Sequence, residues 1–205
     1  MTVDADALEL KLIRRADGIE LDLLPLQGSW TEEQYLKLTN QTNHLIEFSD
    51  GELEVLPMPT RRHQIILLLL YELFKAMVNS HGGIVLVAPL RVQVRPGKFR
   101  EPDVLMLLQA DDPRNQDAFW FGADLVVEIV SPDRPARDIE EKRRDYAEAG
   151  IPEYWIVNPL TDTITVLTFA DDSYTEHGVF GRGESAVSKL LHGFSVAVDE
   201  VLDAT

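Results

Sequence analysis

The run Asp124–Val130, with the sequence DLVVEIV, is the feature that most constrains the fold of this chain. A short continuous stretch of apolar residues is typical of a β-strand that is covered on both faces. Glu128 interrupts this run, and an unpaired charge at a buried position costs several kcal/mol. We therefore expect Glu128 to be protonated, paired with a cation or bound to a metal. The alternative is a glutamate at a strand end that reaches solvent or a nearby arginine.

Patterns on both sides of this run predict an α/β fold with a mixed β-sheet flanked by α-helices. We expect one domain over residues 1–205, with a core at about 30–170 and β extensions at both termini. The expected elements are a helix from the capping box Thr31–Gln34 to about Leu38, strands on both sides of the Asp50-Gly51 turn, a helix at about 60–80, strands at 84–88, 90–94, 99–107 and 124–130, a helix from a cap at Asp138 and Glu141 to Ala149, strands at 153–157 and 163–169, and one or two edge strands in the tail.

Composition excludes several classes of protein. The chain has no cysteine, which removes disulfides, thiolate nucleophiles and cysteine-ligated zinc and fits a reducing cytoplasm. HExxH, GxSxG and Walker A motifs are missing from the sequence as well. The longest apolar run, Ile65–Tyr71, is far shorter than the roughly 20 residues that span a bilayer. The N-terminus has acids where a signal peptide needs a basic start, so we expect a soluble cytoplasmic protein without a membrane segment.

The net charge of −16 argues against a protein that coats nucleic acid, because phosphate contacts need lysine and arginine. The charge is unevenly distributed, however. Residues 91–144 hold 11 acids and 10 bases, so this segment is nearly neutral. A cation bound by some of its acids would make the local field positive. One local nucleic-acid site therefore stays compatible with the sequence.

Asp103 and Lys142 are the residues that could act together with Glu128. Asp103 follows Pro102 at the start of an apolar strand, where an aspartate is also favoured by turn chemistry alone. If the strands at 102–108 and 124–130 are neighbours, Asp103 and Glu128 share one space, and two carboxylates suit magnesium or manganese better than zinc. Lys142 shares a helix face with Asp138 and Tyr146. It is either a solvated surface lysine or a group that stabilises negative charge on a phosphate.

Two further residues, Glu52 and His63, could border the same site. Glu52 follows the expected hairpin turn, and His63 stands at the start of the expected long helix. A single acid after a turn and a single histidine at a helix start are usually structural. A structural role therefore stays the alternative for both residues.

Three stretches of the chain resemble the Uma family of restriction-type endonucleases, which belongs to the PD-(D/E)XK nuclease superfamily. They are Glu101-Pro102-Asp103, the strand and turn Asp124–Pro132, and the block Asp138–Val157, with the sequence DIEEKRRDYAEAGIPEYWIV. The Asp50–Leu53 hairpin and His63 are also similar to this family's pattern. The likeness covers about residues 30–170.

This resemblance implies a restriction-endonuclease-like α/β core and a magnesium-dependent attack of water on a phosphodiester. Asp103 and Glu128 match the metal-binding acids, Lys142 matches the catalytic lysine, and Glu52 matches an additional acid found near such sites. One position departs from the superfamily pattern. The lysine normally stands two residues after the acid on the same strand, where this chain has Val130.

The leading hypothesis is thus an endonuclease that cleaves DNA with Mg²⁺, or with Mn²⁺ in its place. The resemblance also implies a homodimer, because two active sites serve two strands. A second hypothesis is an interaction protein that keeps the nuclease fold without catalysis, and it is motivated by the charge of −16. A third is another phosphoester hydrolase that acts on RNA. Fold similarity does not decide between them.

Overall fold

A six-stranded mixed sheet lies at the centre of this computed structural model, which describes residues 11–13 and 16–205. The remaining residues, 1–10 and 14–15, contain most of the acidic N-terminal segment, so the prediction about a signal peptide lies outside the described residues. The elements in chain order are β1 (Lys11–Ile13), β2 (Glu20–Asp22), α1 (Glu32–Thr39), β3 (Ile46–Ser49), β4 (Glu52–Val55), α2 (Arg61–Asn79), β5 (Ile84–Val87), β6 (Val92–Arg95), β7 (Lys98–Arg100), β8 (Val104–Leu107), β9 (Leu125–Ile129), α3 (Lys142–Glu148), β10 (Glu153–Asn158), β11 (Thr163–Ala170), β12 (Ser173–Phe180), β13 (Ser185–Val187), β14 (Ser195–Ala197) and α4 (Val198–Leu202).

The large sheet has the strand order β12-β11-β10-β9-β8-β5. The strands β9 and β10 are parallel, and every other pair of neighbouring strands in this sheet is antiparallel. This arrangement confirms the expected mixed sheet. In the β8–β9 pair, Val104 lies opposite Val127. Extending this antiparallel register by one residue places Asp103 opposite Glu128, as the sequence argument required.

Helices cover both faces of the large sheet, and the alternation of side chains along β9 decides what each face contacts. Val127 and Ile129 belong to the core cluster that includes the buried side of α2. Val126 and Val130 belong to the cluster on the other face, which includes Tyr146 of α3. Since side chains two residues apart in a strand share a face, Glu128 points to the α3 side. Its carboxylate therefore lies between the sheet and α3.

A smaller sheet with the order β4-β3-β7-β6 packs against α1. The expected capping box is present, because Thr31 and Gln34 bond each other's backbone N–H groups. Tyr35 of α1 stacks on Phe48 of β3, with ring centroids 5.1 Å apart. The expected hairpin joins β3 to β4. Asp50 in its turn has a φ of 51°, a left-handed conformation that aspartate tolerates.

Three local expectations were wrong. Residues 99–107 are not one strand, because β7 pairs in the small sheet and β8 in the large one. Pro102 has no N–H for a ladder, and the chain crosses between the sheets there. Asp138 does not cap a helix: it is buried in a π-helical turn, Arg137–Glu141, that precedes α3. The tail contains α4 as well as strands, because Val198, Val201 and Leu202 add to the core beside α2.

Within the described part of the chain, no helix has the length and apolar content needed to cross a membrane.

Candidate active site

A cavity of about 480 Å³ opens between the end of β9, the start of α2 and the loop that leads to α3. Asp103, Glu128 and Lys142 all line this cavity. They come from three different elements, the turn before β8, the strand β9 and the first residue of α3. The structure thus brings together three residues that are far apart in the sequence. Four other ionisable residues on its wall bear on the argument: His63, Glu101, Arg137 and Asp138.

Glu128 is only 2 % exposed, and both of its carboxylate oxygens have partners. Its Oε2 lies 2.8 Å from Nζ of Lys142. Its Oε1 accepts a hydrogen bond from the hydroxyl of Tyr146, one turn further along α3. The lysine and the tyrosine are four residues apart, so one helix face supplies both groups. Glu128 is therefore a buried, paired acid and not a solvated strand end.

Lys142 is 1 % exposed and lies among three carboxylates. In addition to Glu128, its Nζ is 3.4 Å from Oε1 of Glu47 and 3.4 Å from Oδ1 of Asp138. Burial alone would lower the pKa of Lys142, but these three carboxylates raise it above its ordinary value. Lys142 is thus a protonated ammonium. It can donate hydrogen bonds and stabilise anionic charge, but it cannot accept a proton from water.

Asp103 bonds to the neighbouring strand and to α2. Its Oδ2 accepts a hydrogen bond from the backbone N–H of Ile129 at 2.7 Å and lies 3.1 Å from Nε2 of His63. Burial lowers the pKa of His63, while the contact with Asp103 raises it, and the net direction is upward. The other ring nitrogen, Nδ1, is buried without a hydrogen-bond partner in the described structure. His63 and Ile129 together fix the carboxylate of Asp103 beside Glu128.

The acids of the site are chemically suited to a divalent cation. Burial raises the pKa of Glu128, and the ammonium of Lys142 opposes this shift. The carboxylates of Asp103 and Asp138 raise the pKa further, so that of Glu128 lies above its ordinary value. Oδ1 of Asp138 is buried and has no hydrogen-bond partner within the described residues. Crowded carboxylates, one oxygen of which makes ion pairs but no hydrogen bond, match the oxygen ligands that Mg²⁺ prefers. The described residues contain no group of three or more histidine or acidic side chains arranged to hold a metal, so this fit rests on the donor chemistry.

Glu52 is not among the residues that line the cavity, because it is exposed at the start of β4. Two acids that the sequence reasoning did not single out are buried nearby. Glu47 of β3 contacts Lys142, and Glu101 accepts a hydrogen bond from the backbone N–H of Ile46 at 3.0 Å. Burial and the charge of Glu47 raise the pKa of Glu101 to about 8. Glu47 alternates with apolar neighbours in β3, a pattern that normally indicates a solvent-facing residue.

Comparison with known proteins agrees with the fold. Residues 32–199 match a family model described as "Uma2: Putative restriction endonuclease". A crystal structure entitled as a putative nuclease belonging to DUF820, from Anabaena variabilis, is similar with a TM-score of 0.67. The two sequences are 17% identical, and the match covers 82% of this chain and 97% of the other. A search of curated proteins found no match. Because the family model spans most of its length, the chain belongs to the Uma2 family, and that membership supports a nuclease.

Proposed function

We propose that this protein is a magnesium-dependent endonuclease that hydrolyses phosphodiester bonds in DNA, with Mn²⁺ able to replace Mg²⁺. One observation carries the proposal: Lys142 lies 2.8 Å from Glu128 in the cavity that Asp103 also lines. An acid pair can hold a divalent metal ion, and an adjacent ammonium can stabilise the negative charge that develops on a phosphate. Family membership supports the same class of reaction.

Asp103 and Glu128 would hold the cation, because both line the cavity and extending the β8–β9 register by one residue places them opposite each other. A bound Mg²⁺ would lower the pKa of a water molecule and neutralise charge on the phosphate. The ammonium of Lys142 would donate to a phosphate oxygen as negative charge develops there. His63 would keep Asp103 in place through its contact at 3.1 Å.

Cleavage of supercoiled and linear DNA, measured with Mg²⁺, with Mn²⁺ and with EDTA, tests this proposal. We expect Lys142→Met to lower kcat by about 10²–10³-fold, as the loss of one transition-state donor does elsewhere. Asp103→Asn should also lower kcat, because it removes a charged ligand of the proposed cation. Asp111→Asn and Lys75→Met are matched controls at exposed positions and should cleave like the wild type. Cleavage that persists in both site variants contradicts the proposed site.

Calorimetric titration with Mg²⁺ and with a short duplex separates the nuclease from a non-catalytic protein with the same fold. We expect Mg²⁺ binding in the wild type and weaker binding in Asp103→Asn. A chain that binds neither Mg²⁺ nor DNA supports the interaction protein instead. The same cleavage assay with RNA of identical sequence tests the other hydrolase, and light scattering tests the proposed homodimer.

A further inference from the structure

Three carboxylates hold the ammonium of Lys142, and they are not equivalent. Glu128 is the closest, at 2.8 Å, but the proposed cation needs oxygens of the same carboxylate. Asp138 lies on the π-helical turn before α3, and its Oδ2 accepts only a long hydrogen bond, 3.4 Å, from the backbone of Ser131. Glu47 comes from the small sheet, so it lies on a different element from the lysine and the proposed metal ligands.

Glu47 is held in one position from several sides. Its side chain is 0 % exposed, because Ile46 and Phe48 pack toward α1 and turn Glu47 to the α3 side. Oε2 accepts a hydrogen bond from Arg100 at 2.8 Å. Oε1 accepts one from the backbone N–H of Glu101 at 3.2 Å and lies 3.4 Å from Nζ of Lys142. Side-chain motion is thus restricted at both oxygens.

The charge of Glu47 is maintained by its surroundings. Burial would raise the pKa of this carboxyl, but Lys142, Arg100 and Arg137 lower it to about 2. Glu47 is therefore an anion at neutral pH, which is the state that attracts an ammonium. It does not itself line the cavity that contains the proposed cation site. Of the three proposed site residues, Lys142 is the one that Glu47 contacts as an ion pair in the described structure.

We propose that Glu47 is a positioning residue, which holds the Lys142 ammonium at the cavity wall when Glu128 binds a cation; this rests on the function proposed above. The carboxylate of Glu47 contacts neither substrate nor metal. When Glu128 shares its oxygens with the cation, Glu47 supplies a fixed negative charge that still pairs with the ammonium of Lys142. Without Glu47 the lysine would still be buried, but its remaining contacts would be to Glu128 and to Asp138 on its own helical segment.

The test compares Glu47→Gln with Asp145→Asn, because both variants remove one carboxylate from Arg100. Asp145 is 6 % exposed and lies 2.6 Å from Arg100 and 2.6 Å from Lys98, and Lys142 is not among its ion-pair partners. The aspartate variant therefore measures the cost of damaging the buried ion-pair network alone. Urea unfolding of both variants shows whether they are equally destabilised.

Kinetics form the first readout. We expect Glu47→Gln to lower kcat by about 10²-fold, since a misplaced donor loses most of its effect, with KM changed by less than about threefold. Asp145→Asn should stay within about fivefold of the wild-type kcat. Glu47→Asp keeps the charge and withdraws it by one methylene, so it should cleave faster than Glu47→Gln. It is also the second variant should Glu47→Gln fail to fold.

The second readout needs neither metal nor activity. A buried ammonium with several acceptors exchanges its protons slowly, so the ¹H–¹⁵Nζ signal of Lys142 should be visible by NMR in metal-free protein, with Lys142→Met identifying it. We expect Glu47→Gln to shift or remove this signal, while Asp145→Asn perturbs the signal of Lys98. An unchanged Lys142 signal in Glu47→Gln overturns the inference, as does equal activity in the two variants. Wild-type protein that fails to cleave DNA refutes the proposed function. The NMR comparison then still tests, without any activity measurement, whether Glu47 holds the ammonium of Lys142.

Discussion

Replacing Lys142 by methionine removes the ammonium that Glu128, Glu47 and Asp138 share, while the side chain keeps nearly the same length. Lys142 is 1 % exposed, so its contacts are almost entirely with other protein groups. Removing one partner of a buried ion pair usually costs about 3–5 kcal/mol, because the other charge stays buried and unpaired. We expect a loss of this size at pH 8 in EDTA. It is a large fraction of the about 5–15 kcal/mol that stabilises a typical protein.

The remaining contacts determine which carboxyl responds. Glu47 keeps the guanidinium of Arg100 at 2.8 Å, and Glu128 keeps the hydroxyl of Tyr146. Asp138 already has one buried oxygen without a hydrogen-bond partner in the described structure. In the variant, at least one of these acids should bind a proton that it does not bind in the wild type. Its folded pKa then lies above its unfolded pKa, so stability is retained at low pH and lost as the pH rises. The variant should lose about 1.4 kcal/mol per pH unit more than the wild type over that range.

Urea unfolding at pH 5, 6.5 and 8 measures this difference. The cost of Lys142→Met should be small at pH 5 and reach its full size at pH 8. Adding Glu128→Gln to the variant should recover part of the lost stability at pH 8, because it removes one of the unpaired charges. A cost below about 1 kcal/mol at pH 8 that does not change with pH would refute the buried three-carboxylate arrangement.

Two further substitutions address neighbouring groups. Glu101 has a folded pKa of about 8, above its ordinary 4.5, so its contribution to stability should fall as the pH rises between these values. Glu101→Gln should therefore give a flatter curve of stability against pH in EDTA. A curve parallel to that of the wild type contradicts the raised pKa of Glu101. Tyr146→Phe deletes a hydrogen bond to the buried carboxylate of Glu128 and should cost about 1.5–3 kcal/mol in urea unfolding. Tyr174→Phe is the control and should cost less, because the hydroxyl of Tyr174 donates to the neutral backbone carbonyl of Ile151. Equal costs would show that Glu128 carries no charge.

The fold was predictable where local chemistry determines local structure. The capping box at Thr31 and the turn at Asp50 specify their elements within a few residues, and the structure has both. The split between β7 and β8 was not predictable from the apolar pattern, because strand periodicity does not show which sheet a strand joins. Pro102 was the available sign that the ladder is interrupted.

The candidate site was predictable to a different degree for each residue. Glu128 could be inferred from physics alone, since an acid in an apolar strand needs a partner, and the structure gives it Lys142 and Tyr146. Asp103 needed the adjacency of β8 and β9, which a sequence suggests without fixing the register. Glu47 could not be found, because an acid that alternates with apolar residues in a strand has the same pattern whether it faces solvent or a second layer.

Lys142 reaches Glu128 from a helix, whereas the superfamily pattern that this chain resembles has the lysine two residues after the acid on the same strand. Val130, two residues after Glu128, shares the face of β9 on which Glu128 lies and is buried in the apolar cluster there, 3 % exposed. A lysine at that position would have to replace apolar contacts in the cluster. α3 packs on the same face and brings the ammonium of Lys142 to 2.8 Å from the carboxylate without opening the strand. The helix α3 reaches Glu128 with both Lys142 and Tyr146, so one element supplies the ammonium and also donates a hydrogen bond to the second oxygen of the acid.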